Sequence, residues 1–238
     1  MDKKTIIITD LRTQEARDAL SYFAAQGWNA LAVPENVCLW DEAALYAFAK
    51  EHAENLAAVI HPAPPLISCG FEEAGEEMFQ QAGNEGAIAA WCVTKVFGGL
   101  LREKGEGAII YLNSIHAEKP VGRGFLFSIN CAAVQMLQKE ANQDYGPEGV
   151  RTFFVQRGIS QDDPDGKSDV SPLYYGVDLR YPSRRMPERG SLNGLLAFLT
   201  TPEAAPLMGA DLRADGGMTM YYGHRRRVEG RDYHERKR

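Results

Sequence analysis

The chain has 238 residues, 45% apolar and 24% charged, which is enough for one substantial core and typical of an ordinary globular protein. A net charge of −6 gives no attraction for nucleic acid. The four cysteines, Cys38, Cys69, Cys92 and Cys131, show no CxxC or CxH spacing, which speaks against structural zinc or a disulfide framework.

Taken in chain order, KKTIIITD is a short apolar run ending in polar residues, as in a buried parallel strand. The run is too short for a signal peptide, and no segment is long enough to span a bilayer, so a reduced cytoplasmic protein is expected. Ala16, Ala19, Leu20, Phe23 and Ala24 then repeat at helical spacing, and Gly27 stops that helix. NALAV reads as a second strand, residues 41–53 as a helix and AAVIHP as a strand. A long helix over 84–104, a strand over 108–113, a helix over 127–143 and a strand over 151–155 follow. A loop-rich stretch, a helix over 191–200 and a strand over 211–214 complete the order. Strands alternating with helices predict an α/β fold with a doubly wound parallel sheet.

Three details of that order carry information. Only seven residues separate Val33 from Asp41, whereas a parallel crossover needs about a dozen. One layer element is therefore expected to be shortened or missing after the second strand. Helix 84–104 is apolar on nearly every side, which predicts that its outer face meets another subunit. Residues 224–238 hold seven Lys/Arg against three Asp/Glu. They read as a solvated basic tail or as an arm docking on an acidic partner surface.

ANQDYGPEGVRTFFVQRG, FLTTPEAAPLMG and MGADLRADGGMT stand in an order that resembles the short-chain dehydrogenase/reductase family, from about residue 5 to 222. The resemblance implies a single Rossmann-like domain over 1–222, with a basic tail at 223–238. It also implies NAD(P) as hydride carrier, and dimers or tetramers built on the two long central helices.

Family members carry TGxxxGxG after the first strand, where glycines let backbone amides approach the pyrophosphate. The matching stretch here is TDLRTQEA: Thr9 is kept, and the glycine positions hold Asp10, Gln14 and Ala16. Asp10 or Thr13 can cap the helix internally, while Arg12 is the one residue suited to hold a phosphate. The family's NNAG turn corresponds to His61-Pro62-Ala63-Pro64, and prolines remove amide donors. Glu35 stands where it can meet a ribose hydroxyl or remain in solvent. The family's Pro-Gly is Arg157-Gly158, with Arg157 free to neutralise an anionic ligand or form an ion pair.

The resemblance assigns catalysis to Asn, Ser, Tyr and Lys. Asn84 and Ser114 match the first two, while Tyr becomes Phe127 and Lys becomes Cys131. A phenyl ring has no proton to give, and a general acid is worth roughly 10²–10⁴ in rate. His116 or Lys119 are the nearby substitutes, and both read equally as solvated loop residues. Cys131 reads as a core-filling thiol, or as a nucleophile if a cation lowers its pKa.

The expectation is thus a non-catalytic member of the fold that needs no cofactor and no metal. It would act as a structural or regulatory subunit, paired with itself or with an active relative through helices 84–104 and 127–143. Two alternatives stand beside it. One is an unconventional NAD(P)-dependent oxidoreductase. The other is a small-molecule binding protein using a pocket at Ser114, Phe127, Cys131 and Arg157.

Overall fold

A computed structural model describes residues 3–64, 66–159 and 180–220; the expected tail at 223–238 lies outside them. Six parallel strands form one sheet in the order β2-β1-β3-β4-β5-β6. They are β1 (Thr5–Ile8), β2 (Asn29–Ala32), β3 (Leu56–Pro62), β4 (Gly107–Ser114), β5 (Val150–Arg157) and β6 (Asp211–Ala214). The α-helices are α1 (Gln14–Ala25), α2 (Glu42–His52), α3 (Glu76–Gly83), α4 (Ala89–Lys104), α5 (Phe125–Tyr145) and α6 (Asn193–Leu199).

Alternation along the buried strands sends neighbouring side chains to opposite layers. Ile7, Val59, Ile109 and Phe154 face one core together with Leu45 of α2, Val93 and Phe97 of α4 and Val134 of α5. Ile6, Ile8, Ile60, Ile110 and Phe153 face the other, with Ala16 and Phe23 of α1 and Leu196 and Leu199 of α6. The Rossmann-like, doubly wound sheet is the one expected from the sequence.

The shortened layer is also found. Between Ala32 and Glu42 the chain forms only a loop, so β2 is the edge of the sheet. Asp41 then opens α2 by accepting a hydrogen bond from the Ala44 amide at 3.0 Å.

One reading of the long central helix needs correction. The helical run begins earlier, at α3, and passes through a π-helical turn at Asn84–Ile88 before α4. Its apolar character is largely consumed within the chain, since Ala89, Ala90, Cys92, Val93, Val96, Phe97 and Leu101 are buried. Ile88 and Trp91 are the large apolar side chains left exposed on its 84–104 part. All four cysteines are free. Among the described residues no helix is long and apolar enough to cross a membrane.

The turn from α5 into β5 depends on Gly149, whose φ is +88°. A Cβ built there would sit 2.1 Å from the Gly105 carbonyl oxygen. We expect Gly149→Ala to cost about 1–3 kcal/mol, read as a lower midpoint in urea denaturation with an unchanged slope.

Candidate functional site

The carboxyl ends of parallel strands share one edge of the sheet, and the crevice lies where the strand order reverses, here between β1 and β3. Thr9 ends β1, and its hydroxyl hydrogen-bonds His61 Nδ1 of β3 at 2.7 Å. Both residues are buried. Burial pulls the His61 pKa down to about 4, with the charge on Arg12 acting the same way and Asp10 opposing it. The imidazole is therefore neutral at pH 7.

The first helix end is capped by Thr13, whose hydroxyl accepts from the Ala16 amide at 3.4 Å. Asp10 does something else. It accepts from the Arg12 backbone amide at 2.7 Å and from Arg12 Nε at 2.8 Å. The far side of the same guanidinium reaches Glu85 at 2.5 Å. Arg12 is thus held between two carboxylates. Burial acts to raise the Glu85 pKa, but hydrogen bonds from Arg12 and Gln81 outweigh it and hold the carboxyl below its usual range.

The other two glycine positions behave differently. Gln14 lies back along α1, donating to Asp18 at 2.8 Å and accepting from Arg17. Ala16 is fully buried against the sheet. Of the three side chains expected to intrude at the phosphate position, only Asp10 joins the ion-paired group beside it.

Beyond β2, the loop that replaces the absent layer walls a cleft of about 600 Å³. Leu11, Val33, Val37, Leu39 and Trp40 supply its apolar surface. Asp10, Arg12, Glu35 and Glu85 supply its charges.

The four positions matched to the catalytic set fall at the end of β4, in one apolar cluster on α5 and at the turn before α4. Ser114 and Arg157 stand side by side in register at the ends of β4 and β5. The Ser114 hydroxyl accepts from the His116 amide at 3.3 Å. Arg157 reaches Glu15 of α1 at 3.3 Å, with both side chains largely buried. It is therefore an ion-pair arginine in this arrangement. Phe127 and Cys131 share a small apolar cluster with Ala63, Leu66 and Ala117. Cys131 is 1% exposed, and burial pushes its thiol well above the ordinary range, only partly opposed by Arg157. A thiol so placed stays protonated and does not serve as a nucleophile.

His116, one of the two nearby substitutes for the missing acid, is engaged in other contacts. His116 packs edge-on against Phe127, with ring centroids 6.2 Å apart, and its Nδ1 lies 2.8 Å from the Lys119 carbonyl. Tyr111, a nearby phenol, is fully buried, and its hydroxyl shares a 2.5 Å hydrogen bond with Thr94.

Asn84 opens the π-helical turn, and the turn itself is held by a residue that sequence reasoning missed. Asn130 of α5 accepts from the Ala87 amide at 3.0 Å and donates to the Leu126 carbonyl at 2.9 Å. Gly86 makes room for it, since a Cβ there would lie 2.4 Å from the Asn130 amide. The available signal was a lone glycine inside a helical pattern, which marks close approach. Equally unforeseen is a stitch between the loop after β3 and the entry to α5. Arg123 and Glu73 pair at 2.6 Å, and Phe71 stacks on Phe125 with centroids 4.1 Å apart. Among the described residues no group of three His, Cys, Asp or Glu side chains is placed to hold a metal.

Residues 3–219 match the family described as Enoyl-(Acyl carrier protein) reductase. The chain is 24% identical over 222 residues to the 2,5-dichloro-2,5-cyclohexadiene-1,4-diol dehydrogenase LinX of Sphingobium indicum. That alignment covers 90% of this chain and 86% of the relative. It is 31% identical over 90 residues to the inactive hydroxysteroid dehydrogenase-like protein 1 of Danio rerio, covering 38% of this chain and 27% of that one. Among solved structures it superposes on a gluconate 5-dehydrogenase from Burkholderia cenocepacia in complex with NADP and tartrate. The TM-score is 0.80 at 16% identity, covering 93% and 97% of the two chains.

The buried His61 carries a pH signature. Its folded pKa, about 4 against an ordinary 6.5, lies below its unfolded value. The unfolded chain then binds the extra proton, and stability contributed by the neutral ring is lost as pH falls from about 6.5 to about 4. The full loss would be about 3 kcal/mol. We expect His61→Asn, which keeps a partner for Thr9, to flatten the stability profile across that window in urea titrations.

Proposed function

This chain belongs to the short-chain dehydrogenase/reductase family, and we propose that within it the protein is a non-catalytic member serving as a structural or regulatory subunit of a homo- or hetero-oligomer. The observation that carries this reading is the apolar cluster of Phe127 and Cys131 where the family's chemistry calls for a phenol and a fixed cation. Neither side chain can donate a proton to a substrate oxygen at neutral pH, and His116 and Tyr111 are held in other contacts.

The cofactor position supports the same reading. An NAD(P) pyrophosphate needs free backbone amides and no opposing charge at the start of α1. Here Thr13 occupies the helix cap and Asp10 and Glu85 bring two carboxylates to one guanidinium. These residues do not fit the group.

A second reading, an NAD(P)-dependent oxidoreductase with altered chemistry, is favoured by the nearly full-length match to LinX and by the likeness to a fold that holds NADP in the Burkholderia enzyme. Titration with NADH and NADPH, followed by nicotinamide fluorescence, separates the two. We expect no saturation below the millimolar range; micromolar saturation would establish the second reading. Phe127→Tyr, alone and with Cys131→Lys, is expected to give no turnover while the phosphate position is unchanged.

The subunit role draws on the outer faces of the two central helices. Ile88 and Trp91 of one, and Ile129 and Met136 of α5, are between 42% and 57% exposed. They repeat at helical spacing, so each pair lies on one face. We expect light scattering to report a dimer or larger species, and Trp91→Glu with Ile129→Glu to shift it to monomer. A wild-type monomer, with no mixed complex on co-expression with an intact relative, would remove this role.

A further inference from the structure

The cleft beside β2 has no part in the subunit role. Its volume of about 600 Å³ falls in the range of small-molecule sites, which are mostly apolar with a few fixed polar groups. Leu11, Val33, Val37, Leu39 and Trp40 give it that apolar wall. Its charges are unequal: Asp10, Glu35 and Glu85 oppose Arg12 alone.

The arrangement of those charges decides what can enter. Arg12 spends both faces of its guanidinium, one on Asp10 and the other on Glu85. An anion would have to break one of these pairs and would then meet the uncompensated carboxylate. A cation meets neither obstacle. Glu35 is exposed on the loop and has no ion pair among the described residues, and Trp40, itself partly exposed, lines the same cleft. A ring face and a carboxylate together attract organic ammonium or guanidinium groups.

We propose that this cleft binds a small organic cation, a primary amine or guanidine carried on an apolar body. The body fills the wall formed by the loop between β2 and α2, and the charged group is set against Glu35 and the outer surface of the Asp10–Arg12–Glu85 group. The proposal rests on the reading that no dinucleotide fills this end of the sheet, and NADH is therefore titrated separately.

The test uses the full chain and three probes that share one body and differ in charge: 2-phenylethylamine, 2-phenylethanol and phenylacetate. Agmatine serves as a guanidine with an aliphatic body. Binding is read by calorimetry and by tryptophan fluorescence, with Trp40→Phe identifying the responding ring. The expected result is saturable binding of the amine or of agmatine. The alcohol should bind about tenfold more weakly than the amine, and the carboxylate should not bind. Glu35→Gln, at an exposed position with little bearing on folding, should weaken the cation about threefold, and raised salt should do the same. Equal binding of amine and alcohol, preference for the carboxylate, or failure of both cations to bind would overturn the proposal. Micromolar NADH binding that the amine displaces would overturn both readings, whereas micromolar NADH binding that leaves the amine's affinity unchanged would remove only the non-catalytic reading.

Discussion

Six parallel strands must all end on the same edge of their sheet, and this constraint organises everything else in the molecule. It brings Thr9, His61, Ser114 and Arg157 from four different strands or strand ends to one border, although they are spread over about 150 residues of sequence. Backbone hydrogen bonding fixes the border, and the loops beyond it decide what chemistry collects there. This chain has kept the border and changed what stands on it. Neutral, apolar or mutually paired side chains occupy positions that the family resemblance assigns to proton transfer and phosphate binding.

The replacements are internally consistent. A carboxylate brought to a helix start would ordinarily favour an approaching cation, and Arg12 supplies it from two residues away. Glu85, arriving from the turn before α4, completes the set. Ion pairs whose arginine remains in solvent, as Arg12 does, contribute little to stability, commonly under about 1 kcal/mol. Their consequence is electrostatic and steric. They satisfy one another beside the helix start, where Thr13 accepts from the Ala16 amide. At the other end of the border, a buried phenyl ring and thiol extend the apolar layer between α5 and the sheet.

Much of this was legible in the sequence, and for identifiable reasons. Short apolar runs placed the strands and period-3.6 patterns most of the helices, because both faces of the sheet are covered. Chain length alone exposed the absent layer after β2, since seven residues cannot complete a crossover. Single substitutions at matched positions pointed to Asp10, Phe127 and Cys131. What stayed hidden required knowing which distant residues meet. Glu85 as partner of Arg12, Asn130 as holder of the π-helical turn, and Glu15 as partner of Arg157 are pairings across 73, 43 and 142 positions. No local pattern encodes such pairs. The buried, neutral state of His61 was likewise invisible, because a histidine next to prolines gives no hint of its depth.

The loop that replaced a layer after β2 has an effect on assembly as well as on ligand space. It leaves a strand of only four residues, Asn29–Ala32, as the outermost member of the sheet on that side. Outermost strands present unpaired amides and carbonyls that can recruit another chain's backbone, and brevity is one way proteins blunt that hazard. Four residues provide too short a template for runaway strand addition. The shortness of the edge thus limits the backbone that the absent layer leaves uncovered.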